Sequence, residues 1–172
     1  MSAVRPARSS DIPAVGAVHV SAWRSAYAGL LPGHALVTLS VERQVAYYTH
    51  LLRAGHIIEV AAPEGPVVGF ATASARPQQP LAEGEIETLY VLDDHREQGL
   101  GRALMRAAAI RLQAAGCHSA FLWVLSENPS RWFYERMGGQ RIAEGEVGVA
   151  GTMLAQTAFL WDPIECLIDD YK

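Results

Sequence analysis

The strand, helix, strand pattern over residues 83–125 constrains the fold more than any other feature of the sequence. Residues 83–94, EGEIETLYVLDD, predict a strand, and residues 99–116 predict the strongest helix of the chain, which Gly116 ends. Residues 117–125, CHSAFLWVL, are apolar almost throughout, as a central parallel strand is. A helix that joins two parallel strands makes a right-handed crossover, so this segment predicts an α/β protein built on a central sheet.

Two helices are predicted ahead of this unit. Apolar residues recur at helical spacing over residues 9–27, where Ser10 is expected to cap the helix. Ser40 is expected to cap a second helix over residues 40–55, which Gly55 ends. The other expected elements are a hairpin from residues 56–62 and 66–75, a short helix over residues 128–139, and strands near residues 140–144 and 152–161 that pair through a loop from Gly145 to Gly151.

Length, charge and composition exclude several classes of protein. A chain of 172 residues, 50% of them hydrophobic, predicts a single domain over residues 1–172 with a full core. The net charge of −4 and the lack of a basic stripe argue against nucleic-acid binding. No apolar run approaches the roughly 18 residues of a membrane span, and the N-terminal sequence is unlike a signal peptide. We therefore expect a cytoplasmic protein with no membrane partner.

Cysteine and histidine spacing argue against two further kinds of site. Cys117 and Cys166 are far apart in the sequence and imply no disulfide framework. The six histidines show neither an HxxxH pattern nor pairing with cysteine, so we predict no metal site.

The glycines at positions 99 and 101 predict an anion site at the start of the long helix. A glycine in the first helical turn weakens the helix by about 1 kcal/mol relative to alanine. Two glycines here therefore suggest that a bound group approaches the backbone closely. Leu104 replaces the small residue of a dinucleotide fingerprint, and a Walker lysine is absent. The amides from Gln98 to Arg102 can instead form an anion nest for a pyrophosphate, with Arg96 beside it. A tight turn without a ligand is the alternative.

The sequence resembles the GNAT family of acetyl-coenzyme A-dependent N-acetyltransferases. Arg96, Gly99 and Gly101 match the family's R/Q-x-x-G-x-G/A signature, the preceding strand ends in LYV at residues 89–91, and residues 128–139, NPSRWFYERMGG, resemble a later conserved segment. The resemblance implies a mixed α/β (α+β) fold with a sheet of about six to seven strands, helices on both faces, and splayed central strands that form the acetyl-CoA cleft. It also implies an acyltransferase with acetyl-CoA as co-substrate.

The resemblance further implies which residues bind the coenzyme. The backbone at Leu89 and Val91 is expected to hydrogen-bond the pantetheine arm, as a strand edge pairs with a further strand. Asn128 resembles a coenzyme-contacting position, although its role as a helix N-cap is an equal alternative. The implied cofactor-binding residues are Leu89, Tyr90, Val91, Arg96, Glu97, Gln98, Gly99, Leu100, Gly101, Arg102 and Asn128.

Two residues are predicted to catalyse the reaction. Tyr134 matches the family's general acid at the coenzyme sulfur, and its phenol remains protonated at neutral pH; packing in the core is the alternative. A base helps because an alkylamine with a pKa near 10.4 is mostly protonated at neutral pH. We predict that Glu87 is this base. Glu85 or water is the alternative base, and Glu87 would then be an exposed strand residue without a catalytic role.

The acceptor side is less defined. His19 and Tyr27 lie on one face of the first predicted helix and, with Glu85, are candidate acceptor-binding residues, although core packing is the alternative for the helix. The predicted acceptor is a small-molecule amine or a protein amino group, and the chain is a candidate homodimer. Alternative functions are an acyl-CoA-binding sensor without turnover and the transfer of a longer acyl group.

Overall fold

The protein folds around a seven-stranded sheet with the strand order β1-β2-β3-β4-β5-β7-β6. The computed structural model describes residues 3–31, 33 and 39–169. The strands are β1 (Val4–Pro6), β2 (Ile57–Ala61), β3 (Gly69–Ser74), β4 (Gly84–Val91), β5 (Ala120–Leu125), β6 (Gln140–Val149) and β7 (Thr152–Trp161). Every neighbouring pair is antiparallel except β4 and β5, which are parallel and joined by a helix as predicted.

Helices cover both faces of this sheet, in agreement with the predicted architecture. They are α1 (Ile12–Ala26), α2 (Val41–Arg53), α3 (Leu100–Ala114), α4 (Ser130–Arg136) and α5 (Glu165–Ile168). On one face, α1 and α2 bury Val15 and Tyr48 against Phe70 of β3. On the other face, α3 buries Met105 and Leu112 against Ile86 of β4. Within the described ranges, no helix is long and apolar enough to cross a membrane.

The predicted cap of the first helix is wrong, whereas that of the second is right. Residues Ser9–Asp11 form a short 3-10 turn, and the Asp11 carboxylate accepts a hydrogen bond from the Arg8 amide at 2.7 Å, so Asp11 rather than Ser10 organises the start of α1. Arg5 holds that carboxylate at 2.7 Å. For α2, the Ser40 hydroxyl accepts from the Arg43 amide at 3.3 Å, as predicted.

The predicted loop from Gly145 to Gly151 is also wrong, because β6 continues through it to Val149. Only Ala150 and Gly151 form the turn, with φ of 49° and 81°. Two successive positive φ angles make a tight two-residue hairpin turn, whose twist matches that of the strands it joins. Gly145 and Gly148 therefore lie within the strand and pair with β7.

The central strands β4 and β5 separate after a short paired stretch. They pair only at Gly84 with Ala120 and at Glu85 with Phe121. Past this point β5 continues to pair with β7 on its other side, as far as Leu125. The remainder of β4, from Ile86 to Val91, therefore has an edge without a ladder partner in the part of the chain described, and a wedge opens between the two strands.

Candidate active site

A strained loop ahead of α3 forms the first part of the site. Glu97 adopts φ of 60° and Gly99 adopts φ of 78°, both in the left-handed region. A non-glycine residue in that region costs roughly 1 to 2 kcal/mol, so the backbone at Glu97 is held against a local preference. A Cβ atom on Gly99 would meet nothing within 4 Å, so this part of the loop faces open space.

The loop and the start of α3 present consecutive amides that have no protein partner. In the described part of the chain, none of the amides of residues 97–102 donates a backbone hydrogen bond. The first amide that does so belongs to Ala103, which donates to the Gly99 carbonyl at 3.0 Å. Such amides, together with the positive end of the helix dipole, suit an anion of the size of a pyrophosphate.

Arg96 lies beside this loop but is held by a neighbouring carboxylate. Its guanidinium is 3.0 Å from Asp93, and the side chains of both residues are about half exposed. The same Asp93 accepts a hydrogen bond from the Ser25 hydroxyl near the end of α1 at 2.5 Å. Asp93 therefore connects the loop to α1 and holds a positive charge next to the free amides.

The wedge between β4 and β5 encloses a cavity of about 250 Å³, here called the donor cavity. Asn128 lies at its boundary, and its side-chain oxygen also accepts from the Ser130 amide at 2.9 Å, so the residue caps α4 while it faces the cavity. The cavity is lined by Tyr27, Ile86, Glu87, Thr88, Leu89, Tyr90, Leu122, Trp123, Val124, Leu125, Asn128, Tyr134, Val147, Val149 and Gln156.

A larger space of about 1190 Å³, here called the acceptor cavity, adjoins the first. It is bounded by the end of α2, the loop after β3, and the β6–β7 hairpin, and Tyr47, His50, His56, Arg76 and Glu85 are among its lining residues. Four residues line both cavities: Glu87, Trp123, Val147 and Gln156. The two spaces therefore meet at Glu87.

A β-bulge explains why Glu87 occupies this junction. Thr88 of β4 pairs with Thr72, and Ile86 pairs with the next residue, Ala73, so Glu87 is the extra residue. A bulge redirects the side chains on either side of it. Glu85 and Glu87 consequently differ in position, and Glu85 lines the acceptor cavity without reaching the donor cavity.

The electrostatic environment of both carboxylates favours their neutral forms. Burial raises the pKa of Glu87, and the nearby His56, whose Nε2 lies 3.8 Å from Glu87 Oε1, lowers it in part. That Oε1 atom is buried and has no hydrogen-bond partner among the described residues. Burial and the charge of Glu87 raise the pKa of Glu85 to about 7. Carboxylates tuned in this way can exchange protons close to neutral pH.

Tyr134 projects from α4 into the donor cavity and is only 6% exposed. Its ring packs at 5.4 Å from Phe133 and 6.0 Å from Phe159, measured between ring centroids. Burial, and to a smaller extent the nearby Tyr27, raise its pKa, so the phenol stays protonated and can donate. Gly101 explains how α4 lies so close to α3, because a Cβ there would already contact Phe133 at 3.4 Å.

The structure does not bring His19 to either cavity. It is 9% exposed, and its Nδ1 lies 2.7 Å from the Tyr48 hydroxyl in the core between α1 and α2. Burial lowers its pKa to about 4, which keeps the imidazole neutral. The prediction of His19 as an acceptor contact is corrected accordingly: His19 lies about two turns of α1 before Tyr27, where the helix packs on Tyr48 of α2. Tyr27 lies four residues after Trp23, and it lines the donor cavity and not the acceptor cavity.

Several lining residues carry no sequence signal that could have identified them. His56 follows α2, Trp123 lies in the apolar strand β5, and Gln156 lies in β7. Each becomes part of the site only because β4 separates from β5 and the β6–β7 hairpin crosses the opening.

Comparison with known proteins agrees with this geometry. The chain is 34% identical over 170 residues to a protein named uncharacterized N-acetyltransferase YuaI from Bacillus subtilis, and the match covers 97% of this chain and 96% of the relative. Ribosomal-protein-alanine N-acetyltransferase from Brucella melitensis has a similar fold, with a TM-score of 0.73, 22% identity, and coverage of 92% of this chain and 98% of that one.

A further similar fold belongs to a protein crystallised with coenzyme A. The PaiA N-acetyltransferase from Thermoplasma acidophilum matches with a TM-score of 0.67 and 16% identity, over 91% of this chain and 98% of that one. A sequence model described as the Acetyltransferase (GNAT) family matches residues 22–139. Because this match spans more than half of the chain, the protein belongs to the GNAT family of acetyltransferases.

Proposed function

We propose that the protein transfers an acetyl group from acetyl-CoA to a primary amine by direct attack while both substrates are bound. One observation carries the proposal: the donor and acceptor cavities meet at Glu87, a half-buried carboxylate whose Oε1 atom is buried and has no hydrogen-bond partner in the described chain. An amine that enters from the acceptor cavity would reach the thioester at this junction. No acyl-enzyme is invoked, since neither cysteine lines the cavities described here.

On the donor side, main-chain groups would hold the coenzyme. The amides of residues 97–102 are suited to its diphosphate, with Arg96 as an adjacent positive charge. The unpaired edge of β4 at Leu89 and Val91 would hydrogen-bond the pantetheine arm in the manner of an added strand. The bound co-substrate supplies an activated acyl carbon, and the protein positions it.

Glu87 would accept the proton that the amine must lose. At neutral pH, deprotonation of an alkylamine with a pKa near 10.4 costs roughly 4 to 5 kcal/mol. Deprotonation of a terminal α-amine with a pKa near 8 costs about 1 kcal/mol. The pKa of Glu87 is raised, which makes it a better proton acceptor than an exposed carboxylate once it is ionised. Glu85, whose pKa is about 7, borders the same path and is the alternative base.

Tyr134 would supply the proton, or a hydrogen bond, to the departing sulfur. The amine lone pair forms the C–N bond, and the C–S bond breaks with its electron pair on sulfur. Glu87 holds the proton that the ammonium ion lost before the attack, and the sulfur is protonated from the Tyr134 hydroxyl, which lines the donor cavity. The second nitrogen proton, lost as the amide forms, passes to solvent. Solvent then returns a proton to the Tyr134 phenolate and takes the one on Glu87.

The acceptor is proposed only by class, as a small-molecule amine or a protein amino group. The acceptor cavity is several times the size of the donor cavity and carries carboxylates at its inner end. These carboxylates, once ionised, attract a substrate that arrives as an ammonium ion, although Arg76 and Arg111 also line the cavity. A cytoplasmic location, a single domain and a homodimer stay predictions.

Thiol release from acetyl-CoA in the presence of a panel of amines tests this function. We expect release that depends on both the amine and the enzyme, with the acetylated amine recovered in equal amount. Tight coenzyme binding without release for any amine of a broad panel would instead favour the sensor. Faster release from a longer acyl-CoA than from acetyl-CoA would favour the longer-acyl transferase.

A further inference from the structure

The end of α1 places a second tyrosine in the donor cavity, where the sequence alone suggested an acceptor contact. Tyr27 follows the last residue of α1, and its amide donates to the Trp23 carbonyl at 2.9 Å, which fixes the backbone there. Its ring packs on Trp23, with 4.5 Å between ring centroids. The side chain lines the donor cavity together with Tyr134 and residues 86–90 of β4.

Trp23, on which the Tyr27 ring packs, also holds the phenol of Tyr90. The Trp23 indole Nε1–H donates to the Tyr90 hydroxyl oxygen at 3.0 Å. Burial raises the pKa of Tyr27 and Tyr90 lowers it in part, so the Tyr27 phenol keeps its proton at neutral pH.

The Tyr27 phenol therefore brings a proton to the wall of the donor cavity. Tyr134 lines the same cavity and also stays protonated, so two phenols border one space of about 250 Å³.

We propose that Tyr27 is a second phenolic donor, which hydrogen-bonds the coenzyme sulfur together with Tyr134 as the thiolate departs. Tyr27 keeps its proton, while Tyr134 gives one up, so the balance of the reaction is unchanged. The proposal rests on the proposed function, since it assumes that the donor cavity holds the reacting thioester. It assigns Tyr27 to the donor and not to the amine.

The pKa of the coenzyme A thiol, measured on the enzyme-bound coenzyme by the ultraviolet absorption of the thiolate, tests this assignment directly. Two donors should hold the pKa of the bound thiol below that of free coenzyme A, measured in the same buffer. Removal of one donor to a charged sulfur should raise the bound thiol pKa by about 1 in Tyr27→Phe and in Tyr134→Phe, and by more in the double variant. The kcat of Tyr27→Phe should fall about tenfold, with the dissociation constant of coenzyme A almost unchanged.

One further variant separates this role from packing. Tyr48→Phe removes a phenol that contacts His19 in the core, outside both cavities, and should leave the thiol pKa unchanged.

The outcomes distinguish this proposal from the one it rests on. A wild-type enzyme that releases thiol, together with a Tyr27→Phe variant whose thiol pKa and kcat are those of the wild type, would overturn the role of Tyr27 alone. An equal rise of thiol pKa in Tyr48→Phe would also overturn it, since a general loosening would then explain the effect. Absence of amine-dependent release in the wild type would count against the proposed function first.

Discussion

The donor side and the acceptor side of the site are built from different parts of the chain. The donor side consists mainly of backbone: consecutive amides before α3 and one edge of β4, all within residues 84–102. The acceptor side consists of side chains from α2, the loop after β3, β4, β5 and the β6–β7 hairpin. Backbone groups are nearly the same for every residue type, so the donor side can bind the same coenzyme when its side chains are replaced. The side chains of the acceptor side come from many elements and can be replaced one at a time, and each replacement can change which acceptor binds.

The two sides also differ in charge. The donor side offers unpaired N–H groups and Arg96, which suit a phosphate. The acceptor side places Glu85 and Glu87 at its inner end, where burial raises the pKa of both. The donor side therefore suits an anion, whereas the acceptor side combines two carboxylates that change charge with pH with Arg76 and Arg111. The variants below change one side while the other stays intact.

The largest expected effect is on the donor backbone. Gly99→Glu adds a Cβ at φ of 78° and a negative charge beside the free amides. The sum of backbone strain and repulsion should weaken coenzyme A binding by at least about 100-fold, as measured by calorimetry.

Gly65→Glu is the matched control for this change. Gly65 also has a positive φ, 106°, with no atom within 4 Å of a built Cβ, but it lies in the turn between β2 and β3. The Gly65→Glu variant should carry the same kind of backbone strain, and its affinity for coenzyme A should be unchanged. Equal losses of affinity in the two variants would contradict an anion site before α3.

Tyr134→Phe should lower kcat by about 100-fold, within the range typical of a general acid. The Tyr134 hydroxyl makes no hydrogen bond to the described residues, so its removal should not lower the melting temperature. The dissociation constant of coenzyme A should change little, because the diphosphate and the arm are held elsewhere. A kcat equal to that of the wild type would exclude Tyr134 as the acid.

Glu87→Gln should reduce kcat/KM by about 100-fold near neutral pH. The ionised carboxylate is the active form, and its pKa is raised above 4.5, so wild-type activity should fall as pH falls through that raised pKa. The variant should lose this dependence, and its deficit should narrow at high pH, where free amine is abundant. A larger deficit in Glu85→Gln than in Glu87→Gln would identify Glu85 as the base.

The smallest effect concerns stability. Glu85 has a pKa of about 7 in the folded protein against an ordinary value of 4.5, so the folded state binds the proton more tightly. The free energy of unfolding should therefore fall as pH rises from 4.5 through about 7, and the full loss due to Glu85 should be present above about pH 7. Glu85→Gln should melt at a higher temperature than the wild type at about pH 8 and at nearly the same temperature at about pH 4. A difference of the same size at both pH values would show that ionisation is not its cause.

The correspondence between sequence and structure was closest where one stretch of chain makes a whole feature. The Ser40 cap, the end of α2 at Gly55 and the strand, helix, strand unit all depend on neighbours along the chain. The errors occurred where a specific side-chain or strand contact decides the bounds of an element. Asp11 replaces Ser10 because its carboxylate accepts from the Arg8 amide, and β6 continues past Gly145 because β7 pairs with it.

The sequence by itself determined the family, the mixed sheet and the likeness of residues 96–101 to a phosphate-binding loop, because helix starts and glycine turns are local. Only the tertiary structure decided that Glu87 is a bulge residue, that His19 is buried, and that Tyr27 faces the donor cavity. Each of these depends on how elements that are separate in sequence pack or pair. Residues more than 30 positions apart in sequence, such as His56 and Glu87, come within 3.8 Å only after the sheet has formed.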